Sequence, residues 1–227
     1  MIAAHFHGLP AAILFDLDGT LIDSAPDLAA AVDATLDQLS LPVAGAVLAR
    51  RWVGNGARML MARALAHAQQ DDVENLSATT IDTALAIFFS HYERYCTRDS
   101  TLYPDVLAAL QYWREAAVPM AVVTNKPGRF TAPMLDHYGL RAFFPVVISG
   151  DTLAVKKPDP APLFEACRQL GVAVSGTLMV GDSINDVQAA RNAGMPVACV
   201  DYGYNHGEPI ANAGPDWLVS SFRQLVD

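Results

Sequence analysis

The stretch Ile13-Leu14-Phe15-Asp16-Leu17-Asp18-Gly19-Thr20-Leu21 decides how this chain folds, because a short apolar run ends there in two acids. The run predicts a strand, and side chains two residues apart leave a strand on the same side. Asp16 and Asp18 therefore share one side at its carboxyl end, and Gly19 allows a sharp turn. Adjacent carboxylates repel unless a cation or a shared proton relieves them. The pattern indicates an Mg²⁺ site with a nucleophile and an acid/base; a plain β-turn of Asp and Gly is the alternative.

Short apolar runs and helical patterns alternate along most of the chain. The strand-like runs are Ala12–Phe15, Met120–Val123, Val146–Ile148, Leu178–Val180 and Val197–Val200. The helical patterns are Pro104–Ala117, Arg129–Tyr138, Pro160–Leu170 and Ile184–Ala193, with Pro104 at the first helical position. This alternation predicts an α/β fold, a Rossmann-like doubly wound parallel sheet covered by helices on both faces.

A purely helical segment interrupts the alternation after the first strand. Its helical runs are Leu28–Leu39, Arg58–Ala68 and Ile81–Tyr95. We interpret residues 24–101 as an inserted α-helical cap, and residues 1–23 and 102–227 as a discontinuous α/β core.

The residues after each predicted strand indicate the chemistry, because ligands of a doubly wound sheet bind beyond the carboxyl ends of its strands. The second strand ends in Thr124-Asn125-Lys126, where a hydroxyl and backbone N–H groups can hold a phosphate oxygen. Lys156 and Lys157 precede Pro158 in an extended loop ahead of a helix. The fourth strand ends in Gly181-Asp182-Ser183-Ile184-Asn185-Asp186, where one acid can bind a metal while the other braces that acid or a lysine.

These four motifs, in this order, resemble those of the haloacid dehalogenase superfamily, and the resemblance spans essentially the whole chain. It implies an Mg²⁺-dependent phosphatase in which Asp16 is the nucleophile and Asp18 the general acid/base. The other implied site residues are Thr124, Asn125 and Lys157 for substrate binding, and Asp182 as a metal ligand together with Asp16 and Asp18. The resemblance favours Lys157 over Lys156 as the lysine that holds the phosphate. It leaves open whether Asp186 touches the metal.

Electrostatics supports these roles. A phosphate monoester is a dianion, so a carboxylate attacks it only when a metal ion and a lysine neutralise its oxygens. Asp16 would give an aspartyl phosphate, while Asp18 would protonate the departing alkoxide and later deprotonate water. Asp18 would then offer the metal its backbone carbonyl rather than its carboxylate. Dehalogenases of the superfamily need no such acid, so Asp18 favours phosphoryl transfer.

The cap is expected to select the substrate, because the core motifs recognise only phosphate. In Trp52-Val53-Gly54-Asn55-Gly56-Ala57-Arg58-Met59-Leu60, the glycines permit a loop into a helix whose N–H groups suit a small carboxylate, and Arg58 adds a possible bidentate contact. An ordinary Gly-rich turn with a solvated arginine is the alternative. Together with Tyr202-Gly203-Tyr204-Asn205, this segment resembles the bacterial phosphoglycolate phosphatases, which implies 2-phosphoglycolate as substrate. The cap contains no lysine, which excludes a Schiff-base phosphonoacetaldehyde hydrolase.

Composition limits the partners. The 227 residues carry a net charge of −9, which argues against a nucleic-acid or anionic-membrane partner. No apolar run is long enough to span a membrane, and the first ten residues lack the features of a signal peptide, so we expect a cytoplasmic protein. The expected partner is a small phosphorylated metabolite, and the chain is a monomer or a homodimer.

Two other functions stay open at this point. A sugar phosphomutase, or another small sugar or acid phosphatase of the superfamily, would share every core motif; a mutase returns the phosphoryl group to its substrate. A non-enzymatic phospho-acceptor module also uses aspartate, Mg²⁺, threonine and lysine on a parallel sheet. It has neither a cap nor an acid two residues after the aspartate, so the segment 24–101 counts against it.

Overall fold

The computed structural model describes residues 5–226, and a parallel sheet forms its centre. The strands are β1 (Ala12–Phe15), β2 (Ile22–Asp23), β3 (Thr101–Leu102), β4 (Met120–Val123), β5 (Val146–Ile148), β6 (Thr177–Gly181), β7 (Val197–Val200) and β8 (Trp217–Val219). Six of them form one sheet in the order β5-β4-β1-β6-β7-β8, and all neighbours in it are parallel. The order reverses between β1 and β6, and doubly wound sheets bind their ligands at such a switch point.

Strand β1 lies inside the sheet because it is apolar on both sides. Ile13 and Phe15 pack into one hydrophobic cluster and Leu14 into another, and all three side chains are fully buried. Alternate residues of a strand face opposite sides of the sheet. A continuous apolar run is therefore what a strand covered on both faces requires.

Eight α-helices accompany the strands within residues 5–226. They are α1 (Ala25–Gln38), α2 (Ala46–Trp52), α3 (Ala57–Gln69), α4 (Ala78–Tyr95), α5 (Val106–Glu115), α6 (Gly128–His137), α7 (Ala161–Leu170) and α8 (Ile184–Ala193). Helices α5 and α6 cover one face of the sheet through Trp113 and Met134. Helices α7 and α8 cover the other face through Leu163 and Val187. The sheet is thus enclosed on both sides.

Helices α1 to α4 form a hydrophobic cluster of their own. Leu28, Leu65 and Phe88 are buried in it, and Phe130 and Tyr204 join it from the core. The chain leaves and re-enters the core through β2 and β3, which pair as an antiparallel ribbon. The two connections to the helical segment therefore run side by side. The cap limits at residues 24 and 101 stay a prediction.

The predicted α/β fold class is confirmed, and the five predicted core strands are present. Three strands were not predicted: β2 and β3 have two residues each, and β8 has three. The prediction that a helix begins at Pro104 is wrong. Asp105 takes a left-handed conformation with φ of 64°, so α5 begins only at Val106. Across residues 5–226, no helix has both the length and the apolar character needed to cross a membrane.

The fold depends on a buried acid where the chain returns to the core. Asp27 of α1 is fully buried and accepts the N–H of Asp99 at 2.9 Å, and the N–H and hydroxyl of Ser100 at 3.0 and 2.5 Å. Asp27→Ala would leave these donors without a partner. We expect the free energy of unfolding to fall by about 1.5–3 kcal/mol in urea denaturation.

Asp37→Ala is the matched control for Asp27→Ala, because Asp37 lies on the same helix and is exposed. It should change the free energy of unfolding by less than about 0.5 kcal/mol. Equal losses in the two variants would contradict a role for Asp27 in holding the returning chain.

Candidate active site

Three neighbouring strand ends bring predicted site residues together. Asp16, Thr124 and Asp182 are the first residues after β1, β4 and β6, which lie side by side in the sheet. The strand pairing continues at this edge, since the Asp16 N–H donates to the Val180 carbonyl at 2.9 Å. All three side chains are buried. The carboxyl edge of the sheet therefore holds a polar cluster inside the protein.

Lys157 is the cation of this cluster. Its side chain is 1% exposed, and its Nζ lies 3.0 Å from Asp16 Oδ1 and 2.6 Å from Asp186 Oδ1. Burial acts to lower the pKa of Lys157, but the two carboxylates outweigh burial and raise this pKa above its usual value. Lys156 instead donates to the Asn55 carbonyl of the cap at 2.7 Å. The structure thus places Lys157, and not Lys156, beside Asp16.

Both carboxylate oxygens of Asp182 have partners. Oδ1 accepts the Thr20 hydroxyl and Oδ2 accepts the Tyr204 N–H, each at 2.8 Å. Gly19 packs so closely here that a Cβ would lie 2.3 Å from Asp182 Oδ2, and its φ of 88° suits glycine. The glycine of the first motif therefore makes room for the acid of another strand, in addition to turning the chain.

Asp186 lies in the first turn of α8 and organises the loop before it. Its Oδ2 accepts the N–H of Asp182 at 3.2 Å, and the N–H and hydroxyl of Ser183 at 3.0 and 2.7 Å. Its Oδ1 accepts the ammonium of Lys157. These contacts cap the helix, and they brace the lysine, which is one of the two roles that the sequence allowed.

Asp16, Asp182 and Asp186 form a group that fits a metal ion. Each offers a carboxylate oxygen, and these oxygens lie within 4.8 Å of one another. Burial raises the pKa of Asp16 to about 7 although Lys157 opposes the shift, and burial raises the pKa of Asp182 well above its usual value. Asp16 Oδ1 is buried and makes no hydrogen bond despite its closeness to Lys157. Three carboxylates around one lysine leave excess negative charge, and an oxygen-only donor set suits Mg²⁺.

The carboxylate of Asp18 lies outside this group of three. Its Oδ1 accepts the hydroxyl of Ser24 at 2.5 Å and the ammonium of Lys126 at 2.9 Å. The side chain of Asp18 is therefore committed to proton donors. Metal binding through its backbone carbonyl, as the sequence suggests, stays a prediction.

Thr124 and Asn125 have different surroundings. Thr124 lines the pocket between cap and core, and its Oγ1 accepts the Lys126 N–H at 3.2 Å. Asn125 Nδ2 donates to the carbonyls of Gly54 and Lys157, each at 2.9 Å. Asn125 thus ties the cap loop to the loop that carries Lys157. Binding of the substrate by either residue stays a prediction.

A pocket between cap and core is lined by Asp16. Its core side is polar and includes Asp16, Asp18 and Thr124. Its cap side is largely apolar and includes Leu60 and Phe88. A substrate in this pocket would meet these polar side chains on one wall and hydrophobic side chains on the other.

A model of the haloacid dehalogenase-like hydrolase family matches residues 10–194. The chain belongs to this family. The resemblance drawn from the four motifs is thereby confirmed, and the match to hydrolases speaks against a phospho-acceptor module without catalysis.

Among similar haloacid dehalogenase-like proteins, the phosphoglycolate phosphatase of Pseudomonas syringae pv. tomato is 47% identical over 224 residues, which cover 96% of this chain and 79% of that protein. The phosphoglycolate phosphatase of Colwellia psychrerythraea is 44% identical over 214 residues, which cover 94% of each. A crystal structure of a predicted phosphoglycolate phosphatase from Haemophilus somnus 129pt superposes with a TM-score of 0.89 at 36% identity, covering 95% of this chain and 96% of that one.

Two basic residues of this haloacid dehalogenase-like hydrolase differ from their sequence-based assignment. Arg58 does not line the pocket: its side chain is 45% exposed and pairs with Asp82 of α4. Lys126 does line the pocket, whereas sequence reasoning named it only as the next candidate for the substrate carboxylate after Arg58. The sequence held one signal for it, because all three lysines of the chain fall in loops after predicted strands.

Mg²⁺ should stabilise the folded protein, because it relieves repulsion among Asp16, Asp182 and Asp186. We expect the thermal midpoint to rise by about 5 °C or more in millimolar Mg²⁺ after chelator treatment. Asp182→Asn removes one ligand charge and should reduce this rise. Asp37→Asn, on the exposed face of α1, should respond as the unchanged protein does. Equal responses from all three proteins would contradict the site.

Without metal, the stability of the protein should decline as pH rises. An aspartate in the unfolded chain has a pKa of 3.8, and burial raises the pKa of Asp16 to about 7 in the folded chain. The folded state therefore keeps this proton in a range where the unfolded state has lost it, and stability falls as pH rises through this window. Asp16→Asn should show a shallower decline between pH 5 and pH 8 in urea denaturation with EDTA. Identical slopes would show that Asp16 is not the titrating group.

Proposed function

We propose that this chain is an Mg²⁺-dependent phosphatase that hydrolyses 2-phosphoglycolate to glycolate and inorganic phosphate. The observation that carries the proposal is the placement of Asp16 beside Lys157, with Asp18 on the same pocket wall. Relatives that are 44–47% identical over most of the chain bear the name phosphoglycolate phosphatase, which supports it.

Asp16 acts as the nucleophile. Its carboxylate attacks phosphorus, the bond between phosphorus and the glycolate oxygen breaks, and the phosphoryl group is carried as an aspartyl phosphate. Lys157, 3.0 Å from the Asp16 carboxylate, offsets the charge of the phosphoryl oxygens. Bound Mg²⁺, held by Asp16 and Asp182 with Asp186 in the same cluster, would add positive charge against those oxygens.

Asp18 moves the proton in both half-reactions. It gives a proton to the departing glycolate oxygen, and it then takes one from the water that attacks the aspartyl phosphate. The second step releases inorganic phosphate and restores Asp16. Hydrogen bonds from Ser24 and Lys126 to Oδ1 hold the side chain of Asp18 in one orientation on the pocket wall.

The cap loop favours a small leaving group. The Gly54 carbonyl accepts the amides of Asn125 at 2.9 Å and Asn185 at 3.3 Å, and Lys156 donates to the Asn55 carbonyl. These hydrogen bonds hold the loop directly against the core beside the pocket. A two-carbon acid suits such a closed pocket better than a sugar does.

A substrate panel tests the proposed function. Release of inorganic phosphate is measured for 2-phosphoglycolate, hexose phosphates, N-acetylmuramate 6-phosphate and nucleotides, and Asp16→Asn reports contaminating phosphatases. We expect the highest kcat/KM for 2-phosphoglycolate and no activity in Asp16→Asn. A higher value for a sugar phosphate would reassign the substrate. Conversion of a sugar phosphate into its isomer without free phosphate would indicate a mutase.

Asp18→Asn separates proton transfer from nucleophilic attack. The amide keeps the shape of the side chain but cannot donate an acidic proton, so turnover of 2-phosphoglycolate should fall on the order of a hundredfold or more. An aryl phosphate releases a stable phenolate, which needs little protonation, so its loss should be smaller. Steady-state rates on both substrates give the comparison, and equal losses would argue against Asp18 as the acid.

A further inference from the structure

Lys126 brings a buried positive charge to the part of the pocket where the leaving group departs. Its side chain is 3% exposed, and its Nζ lies 2.9 Å from Asp18 Oδ1 and 2.6 Å from the Tyr92 hydroxyl. In the proposed function, Asp18 protonates the leaving-group oxygen as its bond to phosphorus breaks. A cation that touches Asp18 from the pocket wall therefore lies beside the leaving group.

The neighbouring basic side chains are committed to other partners. Lys157 is paired with two carboxylates, and Lys156 donates to the cap backbone. Arg58 pairs with Asp82 on the exposed side of the cap. Among the residues that line the pocket, Lys126 is the one with a positive charge.

A substrate carboxylate needs such a cation in this pocket. The cap wall is largely apolar, and a carboxylate that loses its water there without a charged partner is strongly disfavoured. In 2-phosphoglycolate the carboxylate carbon lies only two bonds from the ester oxygen that Asp18 protonates. The carboxylate therefore has to sit close to Asp18, where Lys126 lies.

Lys126 also has a donor to spare. An ammonium group carries three N–H donors. One points to the Tyr92 hydroxyl at 2.6 Å, and a second is shared between Asp18 Oδ1 at 2.9 Å and Oδ2 at 3.3 Å, which leaves the third for a substrate. The Tyr92 hydroxyl accepts from Lys126 and keeps its own proton, because burial raises the pKa of Tyr92 well above its usual value. Together the two groups can offer a carboxylate two hydrogen bonds.

We infer that Lys126 Nζ and the Tyr92 hydroxyl bind the substrate carboxylate and so select a phosphorylated carboxylic acid over other small phosphate esters. This inference rests on the proposed function and names the residues that set its specificity. Lys126 belongs to the core and Tyr92 to α4 of the cap. The carboxylate would thus be bound by both parts of the chain at once.

Two substrates of equal length separate carboxylate binding from other effects. 2-Hydroxyethyl phosphate keeps the ester and the two-carbon chain of 2-phosphoglycolate, but a hydroxymethyl group replaces the carboxylate. Lys126→Met removes the charge from a side chain of similar shape. Loss of the contact between Lys126 and Asp18 should lower kcat/KM for both substrates by the same factor. For 2-phosphoglycolate, kcat/KM should fall by roughly a further tenfold to hundredfold, mainly through a higher KM.

Tyr92→Phe and Ser24→Ala complete the set. The phenylalanine keeps the ring contacts with Phe88 and Phe130 and removes only the hydroxyl, so it should reduce the preference for 2-phosphoglycolate about threefold or more. Ser24 holds Asp18 but does not line the pocket. Ser24→Ala should therefore lower kcat/KM for both substrates by the same factor and leave the preference for 2-phosphoglycolate unchanged.

The outcomes distinguish this inference from the proposed function. If the unchanged protein does not prefer 2-phosphoglycolate to 2-hydroxyethyl phosphate, the proposed function and the inference both fail. If it does prefer 2-phosphoglycolate and Lys126→Met keeps that preference, the inference alone fails, and Lys126 serves only Asp18. Turnover of 2-hydroxyethyl phosphate by each variant shows that it is folded.

Discussion

The concentration of buried negative charge at the carboxyl edge of the sheet is the constraint on which the rest of the site depends. A buried carboxylate is tolerated only when cations or hydrogen-bond donors compensate it. Here Asp16 and Asp186 both contact Lys157, and Asp182 lies in the same cluster. Further donors come from three separate parts of the chain: the Thr20 hydroxyl, the Ser183 N–H and hydroxyl, and the Tyr204 N–H. The loops after β1, β6 and β7 are therefore held together by the charge that they enclose.

Topology supplies the place for this cluster. Strand β1 lies between β4 and β6, so the loop after it meets loops that are more than a hundred residues away in the chain. The contact is so close that Gly19 has room for no Cβ against Asp182. An acid at the end of an outer strand would have neighbours on one side only. The central position of β1 is what lets Asp16 face a lysine and two further acids together.

The sequence predicts the parts of this arrangement that depend on local pattern. Apolar runs that end in acids identify β1 and β6, and the fold class follows from their alternation with helices. Contacts between loops that are distant in the chain cannot be predicted in this way. That Lys126 reaches Asp18 and Tyr92, or that Asn125 reaches Gly54, depends on where the cap rests on the core, which no local pattern encodes. Arg58 shows the same limit within one helix: Ala57 and Leu60 of α3 line the pocket, while Arg58 between them faces α4.

In the proposed reaction, cap and core would divide the recognition of the substrate between them. The groups that would handle the phosphate, Asp16, Thr124 and Lys157, all belong to the core and are held by core contacts. The region beyond Asp18 is different, since Tyr92 and the Gly54 loop belong to the cap. In the proposed reaction, a phosphate would therefore meet Asp16 without the cap, whereas the leaving group would meet its full set of partners only when the cap lies on the core. Asp16 and Lys157 are buried, and electrostatic interactions are stronger where water is excluded. In the proposed reaction, selection of the leaving group and acceleration of phosphoryl transfer would thus depend on the same interface between cap and core.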